Sequence, residues 1–193
     1  MVLVIDTSGV LSALALVVPG QGGREEVVPA RRGDDLAARV KALGGLDQLD
    51  AVCVASGPGS FAGVRSGVSF GVGLALGLGL PLMHLGSLDI QAARALVPVL
   101  AVGEAGRGRV YNLAPGAEPA LDEVGELPTR WPVSGWLHEA TAGLLSSRGL
   151  QMIPAESLIS FSEAAAKLVE SAPVVAYDKV PIHYLSAFGR VRN

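Results

Sequence analysis

The sequence predicts an α/β fold, and two patterns carry that prediction. Short apolar runs dominate the first part of the chain, and later apolar runs alternate with segments of helical periodicity. In addition, the run Ala51–Ala55 is apolar throughout, as expected of a central strand that is covered on both faces. We therefore expect a mixed sheet flanked by helices.

The predicted strands begin with an antiparallel meander. Val2–Asp6 ends in a polar turn, Ser12–Val18 ends at Pro19–Gly20, and Val27–Val28 is a candidate third strand. The strands predicted further along the chain are Ala51–Ala55, Leu82–Leu85, Val97–Val102, Arg109–Leu113 and Val174–Tyr177.

The predicted helices follow from apolar spacing and from end signals. Asp34 and Asp35 give an acidic first turn to a helix that ends near Leu43. Ser87 is a candidate cap for a helix that runs to about Leu96. Residues 115–135 are rich in Pro, Gly and Glu and give no clear prediction. The remaining predicted helices are Val64–Leu78, Gly135–Ser147 and Ser162–Ser171.

Composition limits the class of protein. Half of the 193 residues are hydrophobic, 17% are charged and the net charge is −3. This balance argues against extended disorder and offers no basic footprint for direct nucleic-acid binding. Cys53 is the single cysteine, so no disulfide can form within the chain. The first residues lack the basic segment and cleavage site of a signal peptide, and we expect a cytoplasmic protein.

One uncharged stretch could be mistaken for a membrane span. Residues 66–88 contain no Lys, Arg, Asp or Glu and are long enough to cross a bilayer. However, Pro81 interrupts the stretch and six glycines are spread along it. We interpret it as a buried helix, a turn and a buried strand, with no membrane association.

A glycine-rich loop between a strand and a helix is the most conspicuous motif. Residues 56–63 have the form of an anion site, because a helix N-terminus offers unpaired N–H groups. The loop lacks the Lys-Ser/Thr ending of a phosphate-binding P-loop. The alternative is a rigid turn that sets the angle of the following helix, and Pro58 favours it because proline fixes φ and removes a donor.

The inventory of catalytic groups is sparse. Ser60 is a candidate nucleophile, but its surroundings fail the Gly-x-Ser-x-Gly pattern at both outer positions. The three histidines form no recognisable motif, and neither a zinc-type histidine pair nor a cysteine pair occurs. Asp6, at the end of the first strand, could position magnesium or water, or could simply form a turn. We therefore predict no catalytic and no metal-binding residues.

The helix after the loop carries four glycines in two small-x-x-x-small pairs, Gly67/Gly71 and Gly73/Gly77. Glycine destabilises a helix by up to about 1 kcal/mol relative to alanine, so the pairs indicate close approach of another element. That element is either the sheet of this chain or another subunit. If it is a subunit, Gly71→Leu or Gly77→Leu should disrupt association before folding.

Several segments together resemble the TsaB (YeaZ) family. They are Ile5–Ser8, Gly57–Arg65, Leu74–Gly77, Leu80–Pro81 and Ser87–Leu88, whose order and spacing cover about half of the chain. The match then thins to two elements. Gly108–Tyr111 resembles the family's Gly-x-Val-Tyr strand, and Pro181 with Tyr184–Leu185 resembles its Pro-x-Tyr-Leu-Arg element.

The resemblance implies an actin-like/sugar-kinase ATPase-type (ribonuclease H-like) fold in two lobes. The N-terminal lobe would be residues 1–97, with partner-binding helices, and a shortened C-terminal lobe would be residues 98–193. The implied function is that of a non-catalytic subunit of the complex that makes threonylcarbamoyladenosine in tRNA. The chain would bind the TsaD-type transferase subunit, alongside a TsaE-type ATPase, would form a homodimer when alone and would meet tRNA only indirectly.

The resemblance also implies two sets of site residues and no resident cofactor, except ATP or ADP at a subunit interface. Candidate interface residues are Leu36, Val40, Leu43, Phe61, Val64, Gly67, Phe70, Gly71, Leu74 and Gly77. Candidate vestigial nucleotide contacts are Asp6, Thr7, Ser8, Gly57, Gly59 and Ser60.

Three departures from the family pattern weaken the expectation of a nucleotide contact. Ala62 replaces the usual threonine, Gly33–Asp34 replaces a His–Ser/Thr pair, and Glu104–Gly106 replaces an Asp-Ala-Arg sequence. Two other functions stay open: a small independent ATPase or kinase that uses Asp6, and a hydrolase that uses Ser60.

Overall fold

The computed structural model describes residues 1–31 and 33–185. The strands are β1 (Val2–Asp6), β2 (Leu11–Val18), β3 (Gly22–Pro29), β4 (Ala51–Ala55), β5 (Leu82–Leu85), β6 (Leu100–Gly106), β7 (Arg109–Leu113), β8 (Ala120–Glu123), β9 (Val133–Ser134) and β10 (Val174–Val175). The helices are α1 (Leu36–Leu43), α2 (Phe61–Leu78), α3 (Ser87–Ala93), α4 (Glu139–Ser147) and α5 (Phe161–Val169).

The first sheet has six strands in the order β10-β5-β4-β1-β2-β3. β1, β4 and β5 are parallel, and Val4 of β1 pairs with Cys53 of β4. The meander β1-β2-β3 is antiparallel, as predicted, and β10 joins the other edge antiparallel to β5. β1 and β4 are buried along their whole length, which confirms that Ala51–Ala55 is a central strand.

Helices cover both faces of this sheet. α1 and α2 cover the face that presents Leu3, Ile5, Val52 and Val54. α5 and part of α3 cover the opposite face, where Phe161 is among the largest fully buried side chains. The mixed sheet flanked by helices that the sequence predicts is therefore present.

The second sheet has four strands in the order β8-β7-β6-β9 and its own apolar cluster, which includes Leu100, Val110 and Leu145. α3 packs against β6 and β7 on one side and against α5 on the other, so it lies between the two sheets. β8 and β9 lie in residues 115–135, for which no element was predicted.

The chain does not stay in the second lobe to its end. β6 begins the second sheet at Leu100, but α5 packs on β2 and β3, and β10 pairs with β5 in the first sheet. The second lobe is therefore smaller in space than the predicted segment 98–193. The physical reason is that β1 and β4 are apolar on both faces of the first sheet. Each face must be covered, and α5 covers one of the two faces.

Several helix boundaries differ from the prediction because capping residues set where each helix begins or ends. α1 begins at Leu36 because the Asp35 carboxylate accepts from Ala38 N, and α2 begins at Phe61 because the Ser60 hydroxyl caps it. α3 ends at Ala93 rather than Leu96, because Arg94 is its C-cap and Ala95 N donates back to Ala92 O, which closes the last turn. Gly86, not Ser87, occupies the cap position of α3.

Other element boundaries differ as well. α4 begins at Glu139 rather than Gly135 because β9 and the turn after it occupy the preceding residues. β3 is longer than Val27–Val28, since its whole length pairs with β2.

α2 is the one helix in the described residues that is long and apolar enough to cross a membrane by length and composition alone. In this fold its inner side packs on β1 and β4, within the layer that covers the first sheet. Its outer side is free of other elements of the described chain over most of its length.

Candidate functional site

The glycine-rich loop is packed tightly against the β1–β2 turn. Ser60 N donates to Ser8 O at 2.7 Å, and the Thr7 hydroxyl donates to Gly63 O at 2.6 Å. A Cβ at Gly59 would lie 2.5 Å from Ser8 O, and one at Gly63 would collide with Thr7 O. These two glycines therefore permit close approach of the two backbone segments, as a rigid turn requires.

The first donors of α2 are used within the chain. Gly63 N donates to the Ser60 hydroxyl at 3.3 Å, and Val64 N donates to Ser60 O at 2.8 Å. Ser60 therefore acts as a helix cap, and within the described chain no histidine is bonded to its hydroxyl. The geometry favours the rigid turn over a phosphate cradle and over a serine nucleophile.

Asp6 lies at the end of β1, buried between the two lobes. One carboxylate oxygen accepts from Ser8 N at 2.9 Å, and only 2% of the residue is exposed. Burial raises the pKa of Asp6 above its ordinary value, and the hydrogen bonds from Ser8 offset only part of this shift. The charged form of Asp6 is therefore disfavoured in the folded protein.

The cleft between the lobes is closed at this acid. Asp6, Ser87, Gln91, Glu104 and Trp136 line a cavity of about 20 Å³. That volume suits about one water molecule, whereas small-molecule sites typically measure about 300–1,000 Å³. The Ser87 hydroxyl lines this cavity and has no hydrogen-bond partner within residues 1–31 and 33–185.

No metal centre is formed by the residues that the structure describes, since no group of three or more His, Cys, Asp or Glu side chains comes together there. His84 lies next to Ser56, with Nδ1 3.4 Å from the hydroxyl oxygen. Burial lowers the pKa of His84, and nearby His183 lowers it further.

The glycines of α2 divide between its two sides. A Cβ at Gly67 would collide with the Thr7 hydroxyl, and one at Gly71 would collide with Val54 Cγ1. In contrast, a Cβ at Gly73 or Gly77 would meet no atom within 4 Å in the described chain. The first pair therefore permits close packing on this chain's own sheet, and the second pair lies on the outside.

The outer side of α2 consists mainly of small residues and is largely apolar. We define the outer face as the exposed residues of α2 together with those of α1. Leu76 is 62% exposed, among neighbours with little or no side chain. A helix surface of this kind lets another helix approach closely. Its members are Ala37, Ala38, Lys41 and Ala42 from α1, and Phe61, Ala62, Arg65, Ser66, Ser69, Gly73, Leu76, Gly77 and Leu78 from α2.

A groove separates the starts of the two helices on this same side. It has a volume of about 470 Å³, within the range of ligand sites. Thr7, Ser12 and Ser66 contribute hydroxyls to its lining, and Arg31 and Asp34 contribute charges. The groove opens beside the outer face, so a partner bound there would cover it.

The sequence-predicted interface residues are only partly at the surface. Phe61 and Gly77 are exposed. Five others are buried in the core between the helices and the first sheet, so their assignment to a contact surface is corrected: they are Leu36, Val40, Val64, Gly67 and Gly71. Three more are partly buried and pack against that core, and they are Leu43, Phe70 and Leu74.

Three of the five buried residues are large apolar residues that face the sheet, and the other two, Gly67 and Gly71, are glycines that pack closely against it. The outer face consists mainly of small residues that were not predicted, such as Ala62, Ser66, Ser69 and Gly73. Their spacing of three to four residues along α2 is the signal that could have identified them.

At the start of α2, three side chains from distant parts of the sequence form an aromatic–cation cluster, Phe61, Arg65 and Tyr184. The Arg65 guanidinium carbon lies 3.8 Å from the centroid of the Phe61 ring, and Arg65 Nε donates to the Tyr184 hydroxyl at 2.8 Å. The two rings are 5.2 Å apart, centroid to centroid. The cluster joins the glycine-rich motif to the segment Pro181–Leu185.

Comparisons with known proteins agree with this architecture. The family model described as TsaD, tRNA N6-adenosine threonylcarbamoyltransferase, matches residues 38–123, which include all of α2. YeaZ from Pseudomonas aeruginosa has a TM-score of 0.70 at 21% sequence identity, over 95% of this chain and 99% of that one. A solved structure described as an uncharacterized protein with similarity to peptidase YEAZ from Pseudomonas aeruginosa has a TM-score of 0.71 at 21% identity, over 96% and 99%.

Curated relatives match over a shorter length. Uncharacterized proteins of Mycobacterium tuberculosis and Mycobacterium bovis are 36% identical over 76 residues, which are 39% of this chain. The chain spans only 36% of the length of those relatives.

The two mixed sheets flanked by helices give the chain the fold of YeaZ, and the TsaD family model matches part of it. The likeness to YeaZ extends over nearly the whole chain, so the predicted resemblance to TsaB (YeaZ) is confirmed at the level of the fold.

Proposed function

We propose that this chain is a non-catalytic subunit of the machinery that makes threonylcarbamoyladenosine in tRNA, and that it binds a TsaD-type transferase subunit through its outer face. The observation that carries the proposal is that face itself. α2 presents Gly73, Leu76 and Gly77 outward, with no other element of the described chain against them. An exposed apolar patch on a folded protein is typical of a protein–protein interaction site.

Two features support a role without catalysis. The cleft that contains Asp6 has room for about one water molecule, and the glycine-rich loop uses its donors internally. The partner would then carry the chemistry, and tRNA would meet this chain only indirectly. Formation of a homodimer in the absence of the partner, association with a TsaE-type ATPase and a cytoplasmic location belong to the same proposal.

The groove between α1 and α2 is where we place ATP or ADP, if a nucleotide binds at the subunit interface. Its volume of about 470 Å³ and the exposed Arg31 on its lining suit an anionic ligand, and the Asp34 carboxylate there is already paired with Arg39. Isothermal titration of ATP into the chain alone and into the complex tests this placement. Binding only by the complex is expected, because the partner would complete the site.

The test of the main proposal is binding to the TsaD-type subunit of the same organism. Leu76→Asp should abolish capture of that subunit, because it places an unpaired charge at the contact. Leu96→Asp is the matched control, since Leu96 is 75% exposed and lies outside the outer face. Wild-type protein that captures no TsaD-type subunit, and whose depletion leaves the tRNA modification intact, would refute the proposal.

The second candidate is an independent small ATPase or kinase, which Asp6 at the end of β1 and the adjacent glycine-rich loop favour. The purified chain should then turn over ATP without a partner, and Asp6→Ala should abolish turnover. We rank it second because the cavity at Asp6 is too small for a nucleotide as it stands.

A further inference from the structure

The aromatic–cation cluster has the composition of an interaction hot spot. Arginine and tyrosine are enriched among residues that dominate binding energies. All three members are exposed, with 56% of Phe61 and 48% of Tyr184 accessible. The cluster lies at the N-terminal end of the outer face, since Phe61 is the first residue of α2.

The backbone on both sides holds the cluster in place. His183 N donates to Ser56 O at 2.9 Å, which fixes the segment before Tyr184 against the glycine-rich loop. A Cβ at Gly57 would lie 3.1 Å from His183 O, so this glycine leaves room for that segment. Arg65 is then clamped by one ring stack and one hydrogen bond, and little side-chain freedom would be lost on binding.

The clamp leaves most of the guanidinium donors unused. Nε is bonded to Tyr184, but neither terminal nitrogen has a hydrogen bond to residues 1–31 or 33–185, and no carboxylate of that part of the chain pairs with Arg65. A guanidinium with free terminal nitrogens is suited to end-on, bidentate pairing with a carboxylate.

The charge of the surrounding surface also favours pairing with a carboxylate. α1 and α2 contain three basic residues and no acidic one, although the whole chain has a net charge of −3. Arg39 is paired with Glu26 and Asp34, which leaves Lys41 and Arg65 as the exposed cations of these helices. The outer face is therefore complementary to an apolar surface that carries carboxylates.

We propose that Arg65, clamped by Phe61 and Tyr184, selects the partner by pairing with a carboxylate on the TsaD-type subunit. The inference rests on the proposed function and adds the chemistry of the contact. A second copy of this chain is a poorer occupant, because α1 and α2 contain no carboxylate and those just before α1 are already engaged, Asp35 as the helix cap and Asp34 with Arg39. Charge complementarity thus favours the heterologous pair over the homodimer at this face.

The experiment measures the Kd for the TsaD-type subunit over a series of NaCl concentrations. Arg65→Gln should weaken binding at least about tenfold at low salt. It should also reduce the dependence of Kd on salt, because the ion pair between Arg65 and the partner carboxylate, which salt screens, is absent in the variant. Arg65→Lys should lie between, since it keeps the charge but lacks the planar fork. Tyr184→Phe should weaken binding less than Arg65→Gln, because it removes only the hydrogen bond that clamps Arg65.

Arg130→Gln is the matched control, because Arg130 is also exposed and stacked on an aromatic ring, Trp131, but belongs to the other lobe. Its Kd should equal that of the wild type. Wild-type binding that Arg65→Gln leaves unchanged, in affinity or in salt slope, would overturn this inference alone.

Two other outcomes separate the hypotheses. If the wild type fails to bind the TsaD-type subunit, the proposed function falls and the inference falls with it. If Arg65→Gln weakens only self-association, measured by sedimentation of the chain alone, then a second copy occupies the cluster and the inference is overturned.

Discussion

At the scale of single residues, Asp6 shows how a conspicuous acid can lack an active role. It ends a buried strand beside a glycine-rich loop, which is why the sequence suggests a magnesium or water ligand. In the structure its carboxylate accepts from the N–H two residues later and faces a cavity of about 20 Å³. We therefore expect a substitution of Asp6 to change the free energy of unfolding.

We expect Asp6→Asn to raise the free energy of unfolding at pH 7. The asparagine carbonyl can still accept from Ser8 N, and the charge that burial disfavours is gone. Because the pKa of Asp6 is raised in the folded state, the native protein binds more protons than the unfolded one. Wild-type stability from this group is thus present at low pH and is lost as pH rises above the unfolded pKa of about 3.9.

Urea unfolding at several pH values between about 4 and 7 measures this difference. The variant and the wild type should converge at the acid end and diverge as pH rises. Asp47→Asn, at an exposed position, should show no comparable trend. If Asp6→Asn is less stable than the wild type at pH 7, the Asp6 charge is stabilised in the cleft. That result would favour the hypothesis that Asp6 positions magnesium or water.

At the scale of elements, the four paired glycines of α2, Gly67, Gly71, Gly73 and Gly77, have two different roles. The expectation that Gly71→Leu would disrupt association before folding is wrong, because Gly71 faces Val54 of the sheet. Gly77 has open space around it, and the expectation for Gly77→Leu stays a prediction. A matched pair of alanine variants separates the two roles by their effects on stability.

Gly71→Ala should lower the free energy of unfolding by about 1–3 kcal/mol, the usual range for overpacking. Gly77→Ala should raise it by up to about 1 kcal/mol, because alanine is the better helix former and meets no neighbour. Urea titration of both variants gives the two signs, and each serves as the control for the other. Equal effects would contradict the assignment of the two glycines to opposite sides of α2.

The strands were easier to predict than the helix faces. β1, β4, β5 and β7 match the predicted bounds because each is an apolar or alternating run that turn-forming residues delimit. In α2, by contrast, Phe61, Leu76 and Leu78 are large apolar residues on the outer side, so hydrophobic periodicity marks the inner side less clearly. The outward role of Gly73 and the inward role of Gly67 depend on contacts with distant residues, which local patterns do not contain.

At the scale of the whole molecule, the return of the chain to the first sheet ties the two lobes together. Phe161 begins α5, is buried against the first sheet and lies 5.9 Å from the Trp136 ring, centroid to centroid. Trp136 also lies under the guanidinium of Arg94, which donates to Ile159 O. Phe161, which covers one face of the first sheet, therefore also packs on Trp136, which lines the cleft between the lobes.

This arrangement predicts cooperative unfolding of both lobes. Of the two tryptophans, Trp131 packs in the second lobe and Trp136 packs on Phe161 at the contact between the lobes. Tryptophan fluorescence therefore reports on the second lobe and its contact with the first, and far-UV circular dichroism reports on the whole chain. In urea the two signals should change with one midpoint. Phe161→Ala should lower the free energy of unfolding by about 3–5 kcal/mol, the usual cost of truncating a buried phenylalanine.

Both midpoints should move together in Phe161→Ala, because its side chain supports the first sheet and the contact with Trp136. Leu144→Ala is the control, since Leu144 is half exposed on α4 and should change stability by less than about 0.5 kcal/mol. A wild-type fluorescence transition at lower urea than the dichroism transition would show that the second lobe unfolds by itself. The closed cleft would then be a weak contact that a ligand could open, and the ATPase alternative would gain the room it needs.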